Sequence, residues 1–562
     1  MSKSSETLRD GKGRPFPRAV ECVQQGPDSH TLHDQTLDDI LARIPLGITL
    51  VGVHRLSTTE PIRGKNLDDE GVLIQNNGKV LWSLQALAYI LSRRIYLAYD
   101  RNEGVPTLNI DKLVNKKVEE FESILRPACA RFNAAAFPEG YKYAIERSGL
   151  TFFAPHIWGQ RRYLATHKVL LGRSVALYSE IPGIIREKPP SIVNQWIIDE
   201  YGVKMEDLGP SLLMLWSCGV SGGPILTMDR TFLELKNFCS SPPYFLLRKI
   251  ARPVRPWAET FVSETRITAN GREAYRRSMM PLLHDRPALA VTTDKGEGWS
   301  LPIPKLLLTH AEECVYWRIF DRANGHFHRP DNEYTSWYGH VVQRYVLNCL
   351  KSSMGDRVQP EFQFQTKDGN FDTSDCVEFS GKKAVFVEVK NYRPRIEWKA
   401  SPTDEAVKKM VAHGRACVEQ VLRWLGRAMD PSSSDSRFQE LRDIIIAVVT
   451  PEPLFLNEIG EVCEDLILEF SRTWKLASLR VVFLDFDDIE AIPRIPEKKK
   501  HVSLYSILSK YRSGRYWPHL PLKEWLISNL GEPGKMECPY VDEMYRKSRE
   551  FNDNYFRLIR GE

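Results

Sequence analysis

The chain has ten cysteines but no C-x-x-C pair, which argues against a zinc ribbon and against a disulfide framework. Scattered cysteines of this kind point to a reducing cytoplasm. No G-x-x-x-x-G-K-[ST] string is present, so ATP-driven movement would need another chain. The most apolar stretch, residues 212–226, is short and broken by Ser, Cys and Gly, so no membrane span is expected. Residues 1–36 are polar, lack the apolar core of a targeting segment, and read as a flexible tail. No repeat of roughly 20–50 residues is found. The formal net charge of +5 is too mild to show nucleic-acid binding by itself. With 42% hydrophobic and 10% aromatic residues, the chain reads as a folded globular protein of about three or four domains.

What is present is concentrated near residue 380. Residues 371–391 read FDTSDCVEFSGKKAVFVEVKN. Gly381-Lys382 suits the two-residue turn of a hairpin, with Gly first as a type II′ turn prefers. Ser380 then pairs with Lys383, and the register carried outward sets Asp375 opposite Glu388. Side chains alternate along a strand, so Glu388 and Lys390 share a face with Asp375, while Val385, Val387 and Val389 face a core. Exposed hairpins also carry such residues, but the apolar run 384–389 reads as a buried strand with a charged end. Two directly opposed carboxylates repel, and a divalent cation between them is the natural way to hold them. A metal held by two acids with a lysine alongside can hydrolyse a phosphodiester.

Ser374-Asp375 followed by Phe386-Val387-Glu388-Val389-Lys390 resembles the PD-(D/E)xK superfamily of restriction-endonuclease-like nucleases, with Ser374 in place of the proline. The resemblance implies that Asp375 and Glu388 bind Mg2+, for which Mn2+ can substitute, with the Val389 carbonyl as third ligand. It implies that Lys390 orients or deprotonates the attacking water. Upstream, residues 337–350 (WYGHVVQRYVLNCL) read as a helix, and Gly339, Tyr345 and Val346 fit the family's first helix. Gln343 stands where that helix carries Glu; a neutral amide suits a metal-bound water better than the metal. Residues 404–429 read as an amphipathic helix whose Arg415, Ala416 and Gln420 are similar to the K-A-x-x-Q pattern of several such families. Runs 444–449 and 479–486 read as further strands. The resemblance covers about residues 300–490. It implies an α/β fold with a restriction-endonuclease-like core of mixed β-sheet flanked by helices.

The organisation expected is a tail (1–36), a mostly helical accessory domain (37–290), the nuclease domain (291–495) and a helical extension (496–562). Residues 82–99 and 306–320 read as helices, and 287–304 as a connection. Three basic-aromatic clusters have the composition to follow a phosphate backbone. They are Arg161-Arg162-Tyr163 with His167 and Lys168; Arg248-Lys249 with Arg252, Arg255 and Trp257; and Tyr392-Arg393 with Arg395, Trp398 and Lys399. The third adjoins the metal site, so Arg393, Arg395 and Lys399, with Arg415, are the candidate nucleic-acid contacts.

Two rival sites are weaker. Residues 219–224 (GVSGGP) are similar to the surroundings of a chymotrypsin-like serine, here Ser221, with His54, His156 and His167 upstream. That fold is a pair of β-barrels, and this half reads helical. His326 and His328, with His340 nearby, are an H-x-H pair without a third fixed zinc ligand. The reading is therefore a Mg2+-dependent nuclease acting on DNA, in a setting such as bacterial defence or mobile-element processing. It is compatible with partner proteins of a multi-component system and with a homo-oligomer. The alternative is a non-catalytic nucleic-acid-binding or scaffold protein that keeps a degenerate nuclease fold.

Overall fold

The computed structural model describes residues 41, 46–58, 84–101, 103, 107–108, 167–221, 225–227, 242–265, 286–293, 296–394, 404–454, 462–492, 502–513, 522–523, 525–526 and 538–560. It is a mixed α/β protein whose N-terminal region is largely helical. That region holds α1 (Leu46–Thr58), α2 (Leu84–Asp100), α3 (His167–Val175), α4 (Ser191–Tyr201), α5 (Met205–Ser221), α6 (Pro242–Ile250) and α7 (Val254–Thr265). It also holds a five-stranded sheet that the sequence reading did not include. Its strands are β1 (Thr107–Leu108), β2 (Ile225–Thr227), β3 (Ala251–Pro253), β4 (Ala288–Thr293) and β5 (Gly296–Ser300). β4 and β5 pair antiparallel, so residues 287–304 are a hairpin rather than a plain connection.

Two long helices follow, α8 (Lys305–Phe327) and α9 (Glu333–Met354). Asn332 starts α9 through a capping box: its Oδ1 accepts from the Thr335 backbone N–H, and Thr335 Oγ1 accepts from the Asn332 N–H at 2.9 Å. Gly355, with φ +67°, ends it. Then come β6 (Val358–Pro360), the separate hairpin β7 (Gln363–Thr366) and β8 (Gly369–Asp372), β9 (Cys376–Ser380) and β10 (Lys383–Val389). Beyond them lie α10 (Asp404–Met429), β11 (Asp443–Thr450), α11 (Glu464–Trp474), β12 (Ser478–Asp485), α12 (Phe486–Glu490), α13 (Leu504–Ser513) and α14 (Pro539–Arg560).

The second sheet has the order β12-β11-β10-β9-β6, with β10, β11 and β12 parallel and β9 antiparallel to both its neighbours. β10 is its central strand and is buried on both faces, which explains its nearly unbroken apolar run. Val385, Val387 and Val389 face a core shared with Val342, Tyr345 and Val346 of α9. Ala384 and Phe386 face a second core built with Val418, Val421 and Leu425 of α10. The sheet is thus a layer between α9 and α10. No helix among the described residues is long and apolar enough to cross a membrane.

The α9-side core continues without a break into α4, α5 and α8. A buried cation reinforces that continuity. Arg173 of α3 donates from Nε to Glu490 at 2.8 Å, from Nη2 to Asp487 at 2.5 Å, and from Nη1 to Glu312 of α8. The Tyr345 hydroxyl also donates to Glu490. Burial works against the Arg173 charge, but the three acids outweigh it and hold its pKa well above the ordinary value. One residue away, α3 lies so close to α14 that a Cβ at Gly172 would run into the Val541 carbonyl.

Candidate active site

Gly381 takes φ +61° at the β9–β10 turn while Lys382 keeps a negative φ, the backbone a type II′ turn requires. Lys383 pairs with Ser380, and the ladder runs to Val387 with Cys376. Asp375 is the next residue outward, just beyond the last pair of the ladder. Asp375 Oδ2 accepts the Val389 backbone N–H at 2.6 Å. N–H and C=O of one residue point to the same side of an extended strand, so the Val389 carbonyl is also turned towards Asp375. The Lys390 N–H donates to the Val449 carbonyl at 2.9 Å, which fixes the end of β10 against β11. Lys390 Nζ lies 2.6 Å from Glu388 Oε1 and donates to Gln420 Oε1 of α10 at 3.0 Å. The hairpin and α10 therefore bring Asp375, Glu388, Lys390 and Gln420 together.

Charge and burial are in conflict here. Burial first, and the Glu388 charge second, push the Asp375 carboxyl up to about 8. Burial disfavours the Lys390 ammonium, but the charge and hydrogen bond of Glu388 outweigh it, and its pKa is raised. Lys390 is thus held as a cation at neutral pH. Glu388 is only 5% exposed. Its Oε2, like Asp375 Oδ1, has no hydrogen-bond partner among the described residues. Unpartnered carboxylate oxygens of this kind fit a hard divalent cation such as Mg2+. Among the described residues, no three or more His, Cys, Asp or Glu side chains are drawn together as a finished metal cage.

Two neighbours had not been expected. Glu361 follows β6, and its backbone N–H donates to the Asp375 carbonyl at 3.0 Å. Burial and the charges of Asp372 and Glu388 raise its pKa, against the opposing pull of His340 and Lys390. His413 of α10 stacks on Tyr392 at 4.0 Å between ring centroids. Burial, and then Lys390, lower its pKa to about 4, so its imidazole is neutral.

The other expected residues fall differently. Gln343 is half-buried on α9, and its Oε1 lies 3.1 Å from His340 Nδ1. Arg393 corrects the expectation of a phosphate contact, because its guanidinium is internal. It donates to the Glu312 carbonyl at 3.0 Å, lies 3.6 Å from Glu452, and sits over the Tyr316 ring at 4.9 Å. Arg415 is likewise engaged within the protein, by Asp465 at 2.7 Å and Glu419 at 3.2 Å. Arg395, Trp398 and Lys399 lie outside the described residues, as do Arg161, Arg162 and Tyr163.

Of the rival sites, Ser221 is the last residue of helix α5. His54 Nε2 is taken up by the Gly219 carbonyl at 2.7 Å. His326 packs edge-on to Trp196 at 5.6 Å, and His328 is the left-handed cap of α8. Comparison with protein-family models, with curated proteins and with solved structures gives no match to this chain.

Proposed function

We propose that this protein is a metal-dependent nuclease with a restriction-endonuclease-like core, hydrolysing phosphodiester bonds in DNA. The observation that carries the reading is the meeting of Asp375 with the buried Glu388 at the end of the central strand, where Asp375 accepts the Val389 N–H and the Lys390 cation pairs with Glu388. Asp375, Glu388 and the Val389 carbonyl are the groups that would hold Mg2+ or Mn2+. Such a cation offsets the charge that builds on the scissile phosphate and lowers the pKa of the attacking water. Lys390, steadied by Gln420, orients that water or a phosphate oxygen and adds positive charge. DNA as the polymer, ends with 5′-phosphate and 3′-hydroxyl, a cytoplasmic location and a defence or mobile-element setting follow from the family resemblance alone.

Gln343, neutral where the resemblance expects an acid, favours a second reading, a DNA-binding scaffold without catalysis. Purified protein incubated with supercoiled plasmid and single-stranded DNA, in Mg2+, Mn2+ or EDTA, separates the two. Metal-dependent cleavage should fall by about three orders of magnitude in Asp375→Ala and in Lys390→Ala while DNA binding persists. Equal cleavage by all three proteins would refute the site. DNA binding without cleavage under any metal condition would favour the scaffold.

A further inference from the structure

The first turn of α14 is tied to the last turns of α9 through Ser352, and the tie brings two thiols together. Ser352 Oγ donates to the Cys349 carbonyl at 2.8 Å and accepts the Tyr540 backbone N–H at 3.3 Å. The same oxygen lies 3.6 Å from Cys538 Sγ. Cys538 immediately precedes α14. Its carbonyl accepts the Asp542 N–H at 3.1 Å, and Pro539 is the first helical residue. Cys349 and Cys538 are free thiols buried in one core, and their side chains hydrogen-bond each other.

The two sulfurs differ in character. Burial, and then the bond to Cys538, push the Cys349 thiol well above its ordinary range. Cys538 goes the other way. The bond from Cys349, helped by the Val541 N–H and by Ser352, outweighs burial and lowers its pKa. Free amides at a helix N-terminus favour a thiolate in the same way. Ser352, Pro539 and Tyr540 around Cys538 are half-buried, whereas Cys349 is wholly inside. The sulfur nearer the surface is therefore the one that ionises more readily, and the second thiol stands behind it. An attacking and a resolving cysteine are arranged in this way.

We infer that Cys349 and Cys538 are a redox pair, which a small hydroperoxide closes into a disulfide joining α9 to α14. The Cys538 thiolate attacks one peroxide oxygen and the O–O bond breaks. The sulfur is oxidised to a sulfenic acid, and the departing oxyanion takes up the proton that Cys538 released. The Cys349 sulfur then attacks the sulfenic sulfur, the S–O bond breaks, and the hydroxyl leaves with the Cys349 proton as water. With hydrogen peroxide, two thiols and one peroxide give one disulfide and two waters. Small thiols reverse the bond by exchange, so it is a transient mark of oxidation and not a permanent staple. The loop it closes contains α10 and every strand from β6 to β12. The inference stands apart from the nuclease reading.

The test exposes the full-length protein, reduced and then freed of reductant, to hydrogen peroxide. Free thiols are blocked in denaturant and the protein is digested without reductant. Mass spectrometry should find the Cys349 and Cys538 peptides joined, and dithiothreitol should part them. Thiol counts should show wild type losing two more thiols than Cys538→Ser. In Cys349→Ser the sulfenic acid has no resolving partner, so dimedone should label Cys538. Absence of the joined peptides from oxidised wild type would overturn the inference. So would an equal loss of thiols in wild type and Cys538→Ser, or joined peptides that form only when the protein is denatured before peroxide is added.

Discussion

Around Arg173, three acids turn their oxygens onto one guanidinium; around Asp375, the Glu388 charge adds to burial against a second carboxylate. Both clusters hold more acids than bases. In the first, Glu490 takes two guanidinium bonds and the Tyr345 hydroxyl, while Asp487 and Glu312 take one guanidinium bond each. In the second, Lys390 pairs with Glu388 and leaves Asp375 with a carboxyl pushed up to about 8. The comparison separates a charge cluster that closes on itself from one that an added ion would complete. A closed cluster ties elements together; an open one at the end of a central strand can do chemistry.

Breaking the closed cluster should have the largest effect on stability. Arg173→Met leaves Glu312, Asp487 and Glu490 buried without their cation and should destabilise the fold by about 3–5 kcal/mol in denaturant titration. It should not change Mn2+ binding by the protein that remains folded. A loss under 1 kcal/mol would mean that the acids find other partners.

The open cluster should respond in the opposite sense. Asp375 has a folded-state pKa of about 8 against 3.8 for the free side chain. Between those values the folded protein keeps a proton that the unfolded chain has released. Metal-free stability therefore falls as pH rises from about 4 to about 8 and levels off above. Asp375→Asn removes that loss. It should be more stable than wild type at pH 9, with the advantage shrinking towards pH 4. An advantage that did not vary with pH would dismiss this account of Asp375.

The smallest effect sharpens the contrast further. A divalent cation needs Asp375 ionised, so Mg2+ binding at pH 7 should release close to one proton, and almost none at pH 9.5. Calorimetry in buffers of different ionisation enthalpy measures this directly. Proton release that is the same at both pH values would place the ion elsewhere.

The β9–β10 register was legible because a two-residue turn with Gly first fixes every pair that follows it. β11 and β12 were legible as apolar runs too short for helices, and α10 by its amphipathic spacing. Glu361 was not. The β7–β8 hairpin separates it from Asp375 in the chain, and only the tertiary pairing of β6 with β9 brings them side by side. Arg393 misled for a related reason. Tyr392-Arg393 looks like an exposed basic-aromatic pair, but the rings that cover the guanidinium, Tyr316 and Tyr338, come from α8 and α9. The N-terminal sheet escaped because its strands are only two to six residues long and β1 finds its partner in distant β4.

The position of Arg173 also bears on how this chain can be cut. A fragment starting at residue 291 would keep the whole E-x-K strand and α8, α9 and α12. It would lose the guanidinium that Glu312, Asp487 and Glu490 share, and the α4 and α5 side chains that complete the core beneath α8 and α9. The E-x-K strand is thus held by residues on both sides of that cut, and isolating the C-terminal half would remove part of its own foundation.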